Sequence, residues 1–305
     1  MISAANVTKI YRNGTKANDS ICMEVNKGDI LGIVGANGAG KTTFVRQIAG
    51  MLRPTSGTIL IDGVDLARNR LKFIKNISYM SQRSYMLESH KAIEVVKFAG
   101  IYRGLNNVDA QTHASNLLDA FSLSNDKFER MTNLSGGQVR LVLICSALIA
   151  SRPVIILDEP TNDVDPQNRG ILWEMLLDIN KRSKSTIIIV SHNTMELEAM
   201  ARTVAIFHKS RLEEYSDLQT IKSKYNATYR IAVKCEYAKL DTLKTNLSGK
   251  FKFAETDGIE IDVPDGKLEN CLSDLAPFID EHSLEIRVYK TTLAEIYQKV
   301  GRLDV

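Results

Sequence analysis

Residues 35–43 read Gly35-Ala36-Asn37-Gly38-Ala39-Gly40-Lys41-Thr42-Thr43 and fit the pattern G-x4-G-K-[ST]. The stretch follows a short apolar run and opens a helical pattern, the context such a loop requires. Its glycines let backbone N–H groups of residues 36–42 cradle phosphate oxygens, and the helix dipole favours their charge. Lys41 would reach the β- and γ-phosphates of a nucleotide, and the Thr42 hydroxyl would bind Mg²⁺. A glycine turn with a chance lysine is the plain alternative, and the strand-loop-helix setting disfavours it. The chemistry implied is binding of ATP with Mg²⁺.

The run Ile155-Ile156-Leu157 ends in two adjacent carboxylates, Asp158 and Glu159. Ligands of parallel sheets bind at the carboxyl ends of strands. Asp158 would hold Mg²⁺, and Glu159 would polarise the attacking water as general base. His192 ends the next β-branched run, Ile187-Ile188-Ile189-Val190-Ser191-His192, and so falls on the same rim. Its task would be to hydrogen-bond the γ-phosphate and position Glu159 and the water. Gln82 follows a short strand pattern, ISYM, and spacing alone leaves a site residue and a solvated loop residue open.

A second glycine-rich helix start reads Leu134-Ser135-Gly136-Gly137-Gln138. Ser135 can cap the helix while two glycines leave amides open. The stretch has no lysine and no metal carboxylate of its own, so it fits half of a site. Two copies related by a two-fold axis could each offer this half to the nucleotide of the other.

The elements that must position these groups alternate. GDILGIVG (28–35), PVIILDE (153–159) and STIIIVSH (185–192) read as strands, the last two buried on both faces of a parallel sheet. GTILIDG (57–63) reads as a turn-bounded strand, and 41–52 and 167–182 as amphipathic helices. Residues of about 84–150 are mostly helical in pattern, with breaks near Gly104 and around 122–135. The expectation is an α/β domain over 1–224 with a helical subdomain, joined near 215–228 by a polar helical bridge to a smaller domain over 225–305. That tail reads βαββαβα, with a helix at 240–248 and a hairpin turn at Thr256-Asp257-Gly258, and suggests a ferredoxin-like α+β sandwich.

Composition excludes little but sets bounds. A net charge of +3 gives no electrostatic case for nucleic acid. Cys22, Cys145, Cys235 and Cys271 form no CxxC pair, so neither a zinc site nor a disulfide framework is expected. The N-terminus lacks the apolar core of a signal peptide, and the longest apolar stretch, 141–150, is too short to cross a bilayer.

Taken in order, GANGAGKTT, Gln82, LSGGQ, VIILDEP and Ser191-His192 resemble the nucleotide-binding subunit of ABC transporters, over about residues 1–225. The fold this implies is the P-loop NTPase type. The resemblance implies that Gln82 contacts Mg²⁺ and water and senses the membrane partner. It implies that Tyr11 stacks on adenine and that Asn162–Asp165 cross a dimer interface. It further implies that Ser135 and Gly137 reach the γ-phosphate of the opposite subunit, with Gly136 and Gln138 in the same stretch. Partners would be a separate transmembrane permease and a second ATPase subunit, identical or paralogous, at the cytoplasmic side of the cell membrane.

Two positions depart from the family. The interface loop commonly reads S/N-G-L-D and here reads Asn162-Asp163-Val164-Asp165; Val139 stands where a basic or polar residue is common. The tail, ending TTLAEIYQKV, resembles exporters of the antibiotic and multidrug type, so export is expected. The alternatives are an import ATPase whose tail is a regulatory sensor and an ABC-type ATPase that does no transport.

Overall fold

The computed structural model describes residues 1–82, 88–225, 229–234, 252–255, 259–263, 266–282 and 285–302. The chain divides into two compact units, Met1–Leu218 and Gln219–Val305.

The first unit is built on a six-stranded sheet ordered Arg211–Asp217, Thr203–His208, Ile30–Gly35, Thr186–Val190, Val154–Asp158, Ile77–Met80. Five strands run parallel, and Arg211–Asp217 closes one edge antiparallel. Every residue of Ile30–Gly35, Val154–Asp158 and Thr186–Val190 is buried. That is why these segments read as continuous apolar runs: both faces of the parallel sheet are covered, so no face can stay polar. Each buried Ile or Leu contributes about 1.5–3 kcal/mol. Truncating one at the centre, such as Ile188, would cost roughly 2–5 kcal/mol.

A second, four-stranded antiparallel sheet is ordered Lys16–Val25, Ile2–Ile10, Ser56–Ile61, Val64–Asp65. The segment GTILIDG therefore belongs to this sheet and not to the parallel one. Strands Ile2–Ile10 and Lys16–Val25 pair through three register shifts, which break the two-residue alternation that would have announced them. The apolar inner faces of both sheets share one core, including Val7, Ile21, Ile33, Phe44, Ile156 and Ile188.

Helices Ala92–Tyr102, Asn107–Ala120 and Gly136–Leu148 form the helical portion. Helix Gly136–Leu148 buries Val139, Leu141, Val142, Ile144, Cys145, Ala147 and Leu148, hence its apolar character nearly all round. Helix Pro166–Ser183 has Asp165 as its cap, accepting from the Asn168 amide at 3.0 Å, and proline at its first position. The polar helical bridge expected near 215–228 is present as helix Leu218–Lys224, entered directly from strand Arg211–Asp217.

The second unit holds a sheet ordered Lys252–Glu255, Ile259–Val263, Tyr229–Lys234, Glu285–Lys290, with all neighbours antiparallel. Its second, third, first and fourth strands thus lie side by side, as two interleaved split βαβ units demand. Helix Leu268–His282 lays Cys271 and Leu275 over Ile231, Val233, Ile261 and Val263. A last helix spans Leu293–Arg302. The helix expected at 240–248 and the turn at 256–258 lie outside the described residues.

Candidate functional site

Parallel register brings the chemistry-bearing residues to one edge. Ile33 is level with Val190, Val190 with Asp158, and Leu157 with Met80. The glycine loop, Asp158-Glu159, Ser191-His192 and Gln82 therefore all leave the same end of the sheet, as ligand-binding loops of open α/β sheets do. A cleft of about 390 Å³ there is lined by Thr15, Ala17, residues 37–43, Gln82 and Glu159. That volume suits a small-molecule ligand.

Helix Lys41–Ile48 starts at Gly40, which has φ +97° and no side-chain cap. Its first amides are unclaimed by any side chain of the loop, the arrangement that suits an anion. Lys41 is buried, and its Nζ donates to the carbonyls of Gly35 at 2.6 Å and Ala36 at 3.1 Å. Burial pushes its ammonium below the usual lysine range, while the carboxylates of Glu159 and Asp158 oppose that shift.

Thr42 Oγ1 donates to Asp158 Oδ1 at 3.2 Å, and Tyr79 OH donates to Asp158 Oδ2 at 3.3 Å. Asp158 is wholly buried. Burial raises its carboxyl, and the neighbouring Glu159 charge adds to this, against the Thr42 and Tyr79 hydroxyls and Lys41. Among the described residues no group of three His, Cys, Asp or Glu could hold a metal alone. The adjacent hydroxyl and carboxylate oxygens fit Mg²⁺, which takes few protein ligands and completes its shell with phosphate and water.

Glu159 is 4% exposed and sits at φ +53°, a backbone region that side chains rarely adopt. Its amide donates to the Val190 carbonyl at 2.8 Å, which holds that conformation in place. Glu159 Oε2 lies 2.7 Å from His192 Nδ1 and accepts from the His192 amide at 3.4 Å. The imidazole itself is exposed, with 62% of the side chain open. A buried carboxylate held by an exposed imidazole is a pair able to accept a proton from water and to turn toward an added phosphate. Tyr11 OH is 3.1 Å from Thr43 Oγ1, which brings that ring to the glycine loop.

None of Ser135–Gln138 lines this cleft. Ser135 Oγ accepts from the Gln138 amide at 3.3 Å, and Gln138 Oε1 accepts from the Ser135 amide at 2.9 Å, a reciprocal capping box. Gln138 Nε2 donates to Asp126 at 2.9 Å. Gln138 is thus engaged within its own cassette, and Gly136 and Gly137 present the open amides. A Cβ on Gly137 would stand 2.5 Å from the Asp163 carbonyl, so the loop Asn162–Asp165 packs directly on this helix start. Asp163 has φ +62°, the conformation a glycine takes at no cost; an L residue there costs about 1–2 kcal/mol, less for Asp. Val164 is buried where the family has leucine. Val139 is likewise buried, which explains an apolar residue at that position.

Three neighbours escaped sequence reasoning: Tyr79 on Asp158, Asn18 beneath the glycine loop, and Arg140. Arg140 Nη1 donates to the Ser81 carbonyl at 3.4 Å, beside Gln82. Burial lowers its guanidinium, against the attraction of Asp163, Asp158 and Glu159. None of the three lies in a pattern that spacing could flag.

Residues 19–162 match the family model described as ABC transporter. The methionine import ATP-binding protein MetN of Desulfitobacterium hafniense is 31% identical over 228 residues, covering 72% of this chain and 67% of that protein. The chain belongs to the ABC transporter ATP-binding family. The MetN of Haemophilus influenzae is 29% identical over 282 residues, covering 87% of this chain and 82% of its own length. The chain spans about two thirds of three such MetN proteins, 65% to 67% of their lengths. A solved ATP-binding subunit of an ABC transporter superposes with a TM-score of 0.68 at 23% identity, over 74% of this chain and 93% of that one. The fold is accordingly the ABC ATPase type of P-loop α/β protein. The two MetN relatives are named for import, and the expectation of export finds no support in them. Among the described residues no helix is long and apolar enough to cross a membrane.

Proposed function

We propose that this chain is the ATP-hydrolysing subunit of a membrane transporter and that it works as a head-to-tail pair. The observation that carries this reading is the division of the site: one cleft holds Lys41, Thr42, Gln82 and Glu159, while Ser135–Gln138 stand outside it. Residues 36–42 bind the phosphates through their amides, and Lys41 neutralises charge that develops on them. Thr42 and Asp158, with Gln82, would hold Mg²⁺, which would supply positive charge against the phosphates. Glu159 takes the proton of that water, and His192 orients Glu159 and senses the γ-phosphate. Tyr11 stacks on the base. Ser135 and the amides of Gly136 and Gly137 close on the γ-phosphate of the partner copy.

The permease is a separate polypeptide, reached through the Gln82 segment and the helices after it, at the cytoplasmic face of the membrane. Import is the direction we favour. The support is twofold: the MetN relatives carry import in their names, and the alignment with the Haemophilus influenzae protein covers 87% of the chain, more than residues 1–218 can supply. Residues 225–305 would then act as a regulatory sensor.

The test is Glu159→Gln. It should retain ATP and elute as a dimer in gel filtration with saturating ATP and Mg²⁺. A monomer under those conditions would overturn the paired arrangement.

A further inference from the structure

The residue beneath the glycine loop, where the antiparallel sheet meets helix Lys41–Ile48, is polar although it is wholly buried. Asn18, at 0% exposure, sits on strand Lys16–Val25 next to Ala17, whose neighbouring face lines the cleft. Asn18 Nδ2 donates to the Gly40 carbonyl at 3.1 Å, and Asn18 Oδ1 accepts from Gln47 Nε2 at 2.6 Å. Gln47, 1% exposed, also donates to the Thr43 carbonyl at 3.3 Å. Its Oε1 is buried without a hydrogen-bond partner. Burial of polar groups costs free energy unless every one is bonded. Two apolar side chains would fill this space without that cost. The pair therefore has to be explained by what it orients.

We propose that Asn18 is a positioning residue for the nucleotide, holding the peptide unit between Gly40 and Lys41 in the orientation that phosphate needs. A trans peptide is planar, so its C=O and N–H point in opposite directions. Pulling the Gly40 carbonyl toward Asn18 and the Phe44 amide, which donates to it at 2.9 Å, turns the Lys41 N–H the other way, out of the helix start. Gly40 cannot be held there by packing of a side chain of its own: a Cβ would lie 2.0 Å from the Ala17 carbonyl. The clamp has to come from outside the loop. Gln47 in turn fixes which end of the Asn18 amide faces Gly40, because its Nε2 can only donate and so must meet the oxygen end.

This inference rests on reading residues 35–43 as the phosphate cradle, and Lys41→Ala in the same assay tests that reading by itself. The experiment titrates MgADP into the full chain by calorimetry, with thermal melting measured without nucleotide. Asn18→Leu should weaken MgADP binding about tenfold while melting no lower than the parent. Gln47→Leu should weaken it about threefold, and the double variant should bind no worse than Asn18→Leu. Should Asn18→Leu not fold, Asn18→Ser, too short to reach Gly40, takes its place with the same expected loss. Parental MgADP affinity in either Asn18 variant would overturn the proposal, as would a fall in melting temperature with affinity unchanged, which is what a merely structural role produces.

Discussion

The chain contains two glycine-rich helix starts that finish differently. At Gly40 the cap residue has no side chain, and the first amides of Lys41–Ile48 are left to a ligand, with Lys41 folded back on the loop carbonyls as the counter-charge. At Ser135 the helix caps itself: Ser135 and Gln138 exchange hydrogen bonds, and Gln138 reaches on to Asp126. A helix start that satisfies part of itself and carries no cation is stable while waiting. One that leaves its amides open and buries a lysine is less stable until anion arrives. On the reading proposed above, the start at Gly40 holds a nucleotide alone and the start at Ser135 is brought to one.

The sharpest way to break that contrast is Ser135→Arg, which puts bulk and charge on the second start. Hydrolysis should fall at least a hundredfold, while MgADP affinity of the monomer stays near the parental value; a large loss of monomer affinity would mean that both starts serve the same cleft. Gly137→Ala should cost turnover about tenfold, because the added Cβ meets the Asp163 carbonyl and pushes the interface loop off the helix. Steady-state ATPase assays on variants matched for nucleotide affinity would show it. Gln138→Ala removes the side-chain bonds to the Ser135 amide and Asp126 while the Ser135 cap remains, and should lower stability by about 1 kcal/mol, read as a shift in the denaturant midpoint with nucleotide affinity unaltered.

The smallest effect belongs to the first start and has the opposite sign. Asp158 has its carboxyl raised above the ordinary value mainly by burial, so its favourable contribution is complete only below the unfolded value and is gone once pH exceeds the folded one. At neutral pH the ionised form opposes folding. Asp158→Asn should therefore raise the melting temperature of the nucleotide-free chain by about 2–4 °C, while removing the Mg²⁺ dependence of ATP binding. An unchanged or lower melting temperature would contradict the cost assigned to this carboxylate.

The buried strands of the parallel sheet were legible because burial on two faces leaves a sequence with no polar alternation, and the glycine loop and Asp158-Glu159 follow such strands directly. Strands Ile2–Ile10 and Lys16–Val25 were not, since their shifted registers scatter the apolar positions. Strands Thr203–His208 and Arg211–Asp217 were missed too; the second lies at an edge and keeps a polar face. The order of strands in the second unit follows from pairing between distant segments, which no local pattern carries. Tyr79 and Asn18 reach the site through space alone. The departures at Asp163 and Val164 were visible as letters, but their reason was not: Asp163 occupies a glycine conformation, and Val164 fills the core. Transport direction is set against a permease and is not written in this chain's catalytic residues.

The amide of Glu159 is fastened to the carbonyl of Val190, two residues before His192 on the adjoining strand. Glu159 and His192, the proposed base and sensor, are thus mounted on neighbouring rungs of one rigid ladder, and their spacing travels with it. Damage elsewhere in the molecule can spoil the meeting of two cassettes without disturbing that spacing. Remote lesions should accordingly yield proteins that react at the normal rate once joined but join too rarely.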